Sequence, residues 1–132
     1  MNRTTEQILD VLLSIPPGRV SCYRDVALAA GVPNGARQVV RVLHSMSEKY
    51  KLPWHRVVRA DGFIALDSCR GGGLQAKLLR AEGVKVSRGR RAGTDRAANA
   101  GWVDLSRYGH IPLYLNPGNS LFNHDEPSVR PH

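Results

Sequence analysis

Tyr23-Arg24-Asp25-Val26-Ala27-Leu28-Ala29-Ala30-Gly31-Val32-Pro33-Asn34-Gly35-Ala36-Arg37-Gln38-Val39-Val40 is the stretch that decides the fold. From Tyr23 to Ala30 the small apolar residues Val26, Ala27 and Ala30 share one helical face, and Gly31 supplies a left-handed C-terminal cap. Pro33 and Asn34 break the chain. Asn34 then offers a side-chain cap for a further helix whose buried side is expected to be Val39, Val40, Leu43 and Met46. Two short helices joined by a tight glycine-containing turn predict a helix-turn-helix, and with it a mainly α fold.

Upstream, Thr4 is placed to cap a first helix over 5–14, with Gln7 as its box partner and Ile8, Val11, Leu12 and Ile15 at helical spacing until Pro16 and Pro17. Downstream, the apolar-rich runs 56–60 and 63–66 flank Asp61-Gly62, a hairpin signal that would make a small β-hairpin wing. After Gly71–Gly73, the spacing of Leu74, Leu78 and Ala81 predicts a fourth helix ended by Gly83. The globular core is expected to close near Val86, so 1–86 reads as a winged helix-turn-helix domain. The stretch 87–101 carries Arg88, Arg90, Arg91 and Arg96 with no apolar stripe and reads as a flexible basic linker. Trp102, Val103, Leu105 and Tyr108 make 102–115 a short strand or docking segment. The Pro-, Asn- and Ser-rich 116–132 reads as a disordered tail.

The chain has 132 residues, of which 42% are hydrophobic, enough for a small core. Nineteen Lys and Arg against eleven Asp and Glu give a formal charge of +8, which attracts polyanions and makes nucleic acid the first partner to consider. Cys22 and Cys69, the only cysteines, indicate no disulfide framework, no leader is expected, and no apolar run reaches membrane-spanning length. A soluble cytoplasmic monomer follows, nucleoid-associated if the source is bacterial. No cofactor, metal ion or membrane partner is expected.

Three motifs carry the functional reading: Leu52-Pro53-Trp54-His55-Arg56-Val57-Val58, Ile15-Pro16-Pro17-Gly18-Arg19-Val20-Ser21-Cys22-Tyr23 and Gly31-Val32-Pro33-Asn34-Gly35-Ala36-Arg37. Together they resemble the DNA-binding domain of the O6-alkylguanine-DNA alkyltransferases over about Thr5 to Val86. In those enzymes the first motif runs Pro-Cys-His-Arg-Val, and its cysteine accepts the alkyl group irreversibly. Here the position is Trp54, which cannot form a thioether. That substitution is similar to the alkyltransferase-like branch, which binds O6-alkylguanine in duplex DNA and flags it for nucleotide excision repair proteins. Met46, eight residues before Trp54, stands where the enzymes usually have an Asn.

The resemblance assigns roles residue by residue, and each has a plainer alternative. His55 and Glu82 match the relay that would activate the thiol; without a thiol they read as a vestigial pair that fixes the core. Trp54 offers a π-face to an extruded base, or else packs as core. Tyr23 matches a residue near the target phosphate and is otherwise core. Arg37 matches the finger that fills the vacated stack and is otherwise a solvated helix residue. Helix three would enter the minor groove, where Gly35 and Ala36 permit close approach; helix-turn-helix geometry alone predicts the major groove. The 66–73 loop resembles a lid, with Ser68 and Arg70 as candidates to meet the lesion. No catalytic residue is expected. Two alternatives stay open: an active alkyltransferase using Cys69, and a winged-helix transcriptional regulator reading base sequence.

Overall fold

The computed structural model describes residues 2–65, 71–90 and 97–110. Their contacts divide into two compact units of interleaved segments, the first drawn from residues 2–14 and 23–54, the second from 15–22 and from 55–110 where described.

Three helices build the first unit: α1 (Arg3–Leu13), α2 (Tyr23–Ala29) and α3 (Ala36–Tyr50). Ile8, Leu9, Val11 and Leu12 turn the apolar side of α1 inward, as their 3-4 spacing requires. Its cap is Asn2, whose side chain accepts from the Thr5 N–H at 2.8 Å, and Thr4, expected as the cap, lies inside the helix. In the turn between α2 and α3, Asn34 takes a left-handed conformation with φ +67°. It therefore does not cap α3; Gly35 does, with no side-chain bond. Asn tolerates this region because its short polar side chain bonds locally. Val39 and Val42 are the buried residues of α3, whereas Val40, expected inside, is 47% exposed. A three-residue step keeps Val39 and Val42 on one face, and Val40 is turned about 100° away.

The second unit places β1 (Ser21–Cys22) parallel to β2 (Val57–Val58), with Ser21 opposite Val57 and Cys22 opposite Val58. Asp61-Gly62 forms the expected turn, closed by Gly62 N–H to the Arg59 carbonyl at 2.8 Å and Arg59 N–H to the Phe63 carbonyl at 3.0 Å. The hairpin goes no further. Phe63 bridges to Trp102, and the Ile64 N–H donates to the Gly101 carbonyl at 3.0 Å. The arm after the turn thus pairs with a strand from the stretch read as a linker. That stretch contains β3 (Ser87–Arg90) antiparallel to β4 (Ala97–Trp102), which corrects the expectation of a flexible linker at 87–90 and 97–101, while 91–96 lies outside the described residues. The composition misled because the ladder is a backbone matter, and the apolar anchors, Val86 and Val103, sit just outside the charged stretch.

Val20, Val58, Ile64, Ala76, Leu79, Val84, Val86 and Val103 form the core of this unit, with Leu105 and Tyr108 packed against it. The core therefore continues past Val86, where it was expected to close. Helix α4 (Gly72–Ala81) faces it through Ala76 and Leu79, while Leu74 of the expected stripe is 52% exposed. A helical turn, α5 (Leu105–Tyr108), is capped by Asp104 and followed by a bond from the His110 N–H to the Val20 carbonyl at 2.8 Å. The remainder of 102–115 and the whole of 116–132 lie outside the described residues. No described helix is long and apolar enough to cross a membrane.

Candidate nucleic-acid interface

The first unit holds six of the residues singled out in the sequence. Tyr23 opens α2 and is half-buried; Ala36 opens α3 and is half-buried; Arg37, one residue on, is exposed. Past Arg37, the solvent side of α3 continues through Val40, Arg41 and His44, one and two turns along. Gly35 is buried, and a Cβ there would lie 2.6 Å from Val32 Cγ1 and 2.7 Å from the Val32 carbonyl oxygen. The turn itself thus demands glycine, independently of any DNA approach. Trp54 is half-buried and begins a short 3-10 turn (Trp54–Arg56) after buried Leu52 and Pro53, its N–H donating to the Leu52 carbonyl at 2.8 Å. Met46 is half-buried on α3.

In the second unit, the carboxylate of Glu82 gathers three partners. His55 Nε2 lies 2.8 Å from Oε2, and Arg56 donates from Nε and NH2 at 3.0 and 2.7 Å. The Gly18 N–H adds a bond to Oε1 at 3.0 Å. The Arg56 guanidinium, through this two-point contact, holds Glu82 ionised down to about pKa 2 against the burial that pushes it up, with help from His55 and Gly18. His55 and Glu82 keep 14% and 17% of their side-chain surface. Sequence reading paired the two but missed Arg56, whose NH1 also reaches the Ile15 carbonyl at 2.9 Å. The signal was present: a cation between Trp54 and the apolar Val57-Val58 must find a partner if it is buried. Gln75 was missed as well. Buried on α4, its Nε2 donates to the carbonyls of His55 and Val57 at 3.1 and 2.9 Å and so fixes the backbone of the motif.

Ser68, Cys69 and Arg70 lie outside the described residues, so of the expected lesion pocket only Trp54 is placed. Among the described residues, no group of three or more His, Cys, Asp or Glu side chains could hold a metal ion.

A helix-turn-helix unit with an exposed arginine at the start of its second helix, in a chain that also carries a Trp-His-Arg turn, defines a class of DNA-binding domain. Residues 3–84 match the family described as the 6-O-methylguanine DNA methyltransferase DNA-binding domain, and the chain belongs to that family. It is 41% identical over 105 residues to the DNA base-flipping protein of Escherichia coli strain K12, covering 78% of this chain and 70% of that protein. It is 33% identical over 87 residues to alkyltransferase-like protein 1 of Schizosaccharomyces pombe, covering 65% and 81%. The crystal structure of S. pombe Atl1 in complex with damaged DNA containing O6-carboxymethylguanine aligns with a TM-score of 0.69 and 29% identity, over 85% of this chain and 98% of that one. The motif resemblance and the mainly α fold class therefore both hold.

Proposed function

We propose that this protein binds O6-alkylguanine in duplex DNA with the base flipped out, transfers no alkyl group, and marks the lesion for nucleotide excision repair proteins. The observation that carries this reading is Trp54. The motif gives an indole where the family's reactive cysteine belongs, while the half-buried Trp54 side chain sits on a turn whose following residue, His55, still meets Glu82 at 2.8 Å. A base relay without a thiol has nothing to deprotonate. An aromatic face can instead stack on an extruded base whatever alkyl group it carries. Arg37, exposed at the start of α3, is the group proposed to enter the stack, with Tyr23 near the target phosphate. Ser68 and Arg70 are proposed lid contacts. The names of the relatives, a base-flipping protein and an alkyltransferase-like protein, support the same assignment. The protein acts as a monomer in this reading.

The test uses duplex labelled on the methyl of O6-methylguanine. Binding should be tighter than to the matched guanine duplex, with the lesion recovered intact and no label on protein. Stoichiometric label on Cys69 would instead establish an alkyltransferase. Equal affinity for the two duplexes, combined with preference for one base sequence, would point to a regulator.

A further inference from the structure

Gln75 is 1% exposed, on the helix that gives Ala76 and Leu79 to the core of the second unit. An apolar side chain could be buried there at no polar cost, whereas an amide must be given partners. Its partners are two main-chain carbonyls of the tryptophan motif, His55 at 3.1 Å and Val57 at 2.9 Å, both reached from Nε2. Carbonyls only accept, so a group with two N–H bonds on one atom is needed to satisfy both together. The two carbonyls straddle the junction where the 3-10 turn Trp54–Arg56 gives way to β2. A turn of three residues supplies partners for its opening carbonyls and leaves the closing ones to be met from outside. Glu82 meanwhile holds the side chains of His55 and Arg56. With those side chains held by a carboxylate and its exit held by an amide, the turn has little freedom to rotate. Trp54 is its first residue.

We propose that Gln75 is a positioning residue for lesion recognition, whose amide sets the angle at which the turn presents the Trp54 ring to an extruded base. The inference rests on the function proposed above and adds to it a residue that, being buried, meets neither base nor phosphate itself. A binding group loses much of its worth when its supporting shell lets it wander by about 1 Å, and stacking in particular needs the two rings in face contact. The competing role is that of a buried pin that joins α4 to β2 and contributes stability alone. That role predicts no change in the preference between duplexes.

Three variants of the full chain separate the two roles. Gln75→Met keeps the length of the side chain and removes both donors, and Gln75→Asn keeps the amide on a stem too short to reach both carbonyls. Val84→Ala takes volume from the core of the same unit and leaves the bonds of the turn in place. Thermal melts set an assay temperature at which the proteins are folded, and where one Gln75 variant melts below it the other carries the test. The ratio of affinities for O6-methylguanine and guanine duplexes is read by fluorescence anisotropy at one salt concentration. It should fall by about 5-fold or more in the Gln75 variants, the lower end of one base–aromatic stack, and keep the parent value in Val84→Ala. In a proton–nitrogen correlation spectrum, the indole signal missing from Trp54→Phe belongs to Trp54. That signal should be displaced or broadened in the Gln75 variants and unmoved in Val84→Ala. A parent ratio or an unmoved Trp54 signal in a folded Gln75 variant overturns the proposal, as does an equal fall of the ratio in Val84→Ala. Failure of both Gln75 variants to fold would make Gln75 a stability residue and overturn it too. A parent protein with no lesion preference would overturn the function proposed above, yet the Trp54 signal would still decide whether Gln75 orients the ring.

Discussion

Glu82 is where the polar contacts of the second unit converge, and its ionisation ties stability to pH. Its carboxyl is held at about pKa 2 against an ordinary 4.5, so the folded state binds the proton less readily than the unfolded chain. The contribution is fully present above about pH 5 and is lost as pH falls towards 2. The shift corresponds to about 3 kcal/mol, an upper bound because the side chain keeps 17% exposure. Urea unfolding at pH 7 and pH 3 should therefore show a larger acid loss in the parent than in Glu82→Gln; equal losses would mean the cluster does not hold the carboxylate ionised. Trp54 tests recognition at the same scale. A folded Trp54→Ala should lose about 1 to 3 kcal/mol of binding to O6-methylguanine duplex, the worth of one base–aromatic stack, while weak binding to undamaged duplex persists. Trp54→Phe should recover part of it. Retention of the parent ratio between the two duplexes by Trp54→Ala would remove Trp54 from the pocket.

Among the elements, the β3–β4 hairpin depends on Gly101. Its φ is +120°, and a Cβ there would sit 2.5 Å from Val86 Cγ1 and 2.8 Å from the Ser87 carbonyl oxygen. Gly101→Ala should cost about 2 to 4 kcal/mol, combining backbone strain with overpacking. Gly83, with φ +89° and nothing within 4 Å of its Cβ position, isolates the strain alone, and Gly83→Ala should cost about 1 to 2 kcal/mol. Thermal melts of the two variants give the comparison. If Gly101→Ala costs no more than Gly83→Ala, the hairpin does not close on Val86 as described. The same hairpin marks where the sequence was hard to read. The helix-turn-helix was legible because Gly31, Pro33 and the apolar spacing of α2 act locally, and the Trp-His-Arg string was legible as a motif. The strands 87–90 and 97–102 were not, since Arg, Gly and Ala carry no alternation and Phe63, the bridge partner of Trp102, lies far upstream in the sequence. Val40 and Leu74 were assigned inward by hydrophobicity, but the helix phase set by Val39 and Leu79 placed them outside. Arg56 was passed over for a different reason: its partners, Glu82 and the Ile15 carbonyl, are brought to it only by the tertiary fold.

For the whole molecule, the formal charge of +8 and the candidate site make separable contributions to binding. Charge draws the chain to any duplex, and that part of the affinity should fall linearly with log salt because it reflects counterions released from phosphates. Lesion preference, in the function proposed above, arises where a base meets Trp54 and releases no counterions. The two quantities should therefore respond differently to salt. Plots of log affinity against log salt for guanine and O6-methylguanine duplexes are expected to be parallel between 50 and 200 mM, offset by a constant lesion preference. Arg37→Ala should lower both lines, since the proposed finger fills the vacated stack whichever base is flipped, and should flatten both by up to about 1 if its guanidinium also neutralises a phosphate. Anisotropy titrations of the parent and Arg37→Ala on the two duplexes supply all four lines. Parent lines that converge as salt rises would show that the preference is itself electrostatic, made by phosphates that only the flipped duplex presents. Recognition would then lie in the shape of the distorted backbone, and stacking on Trp54 would not be its source.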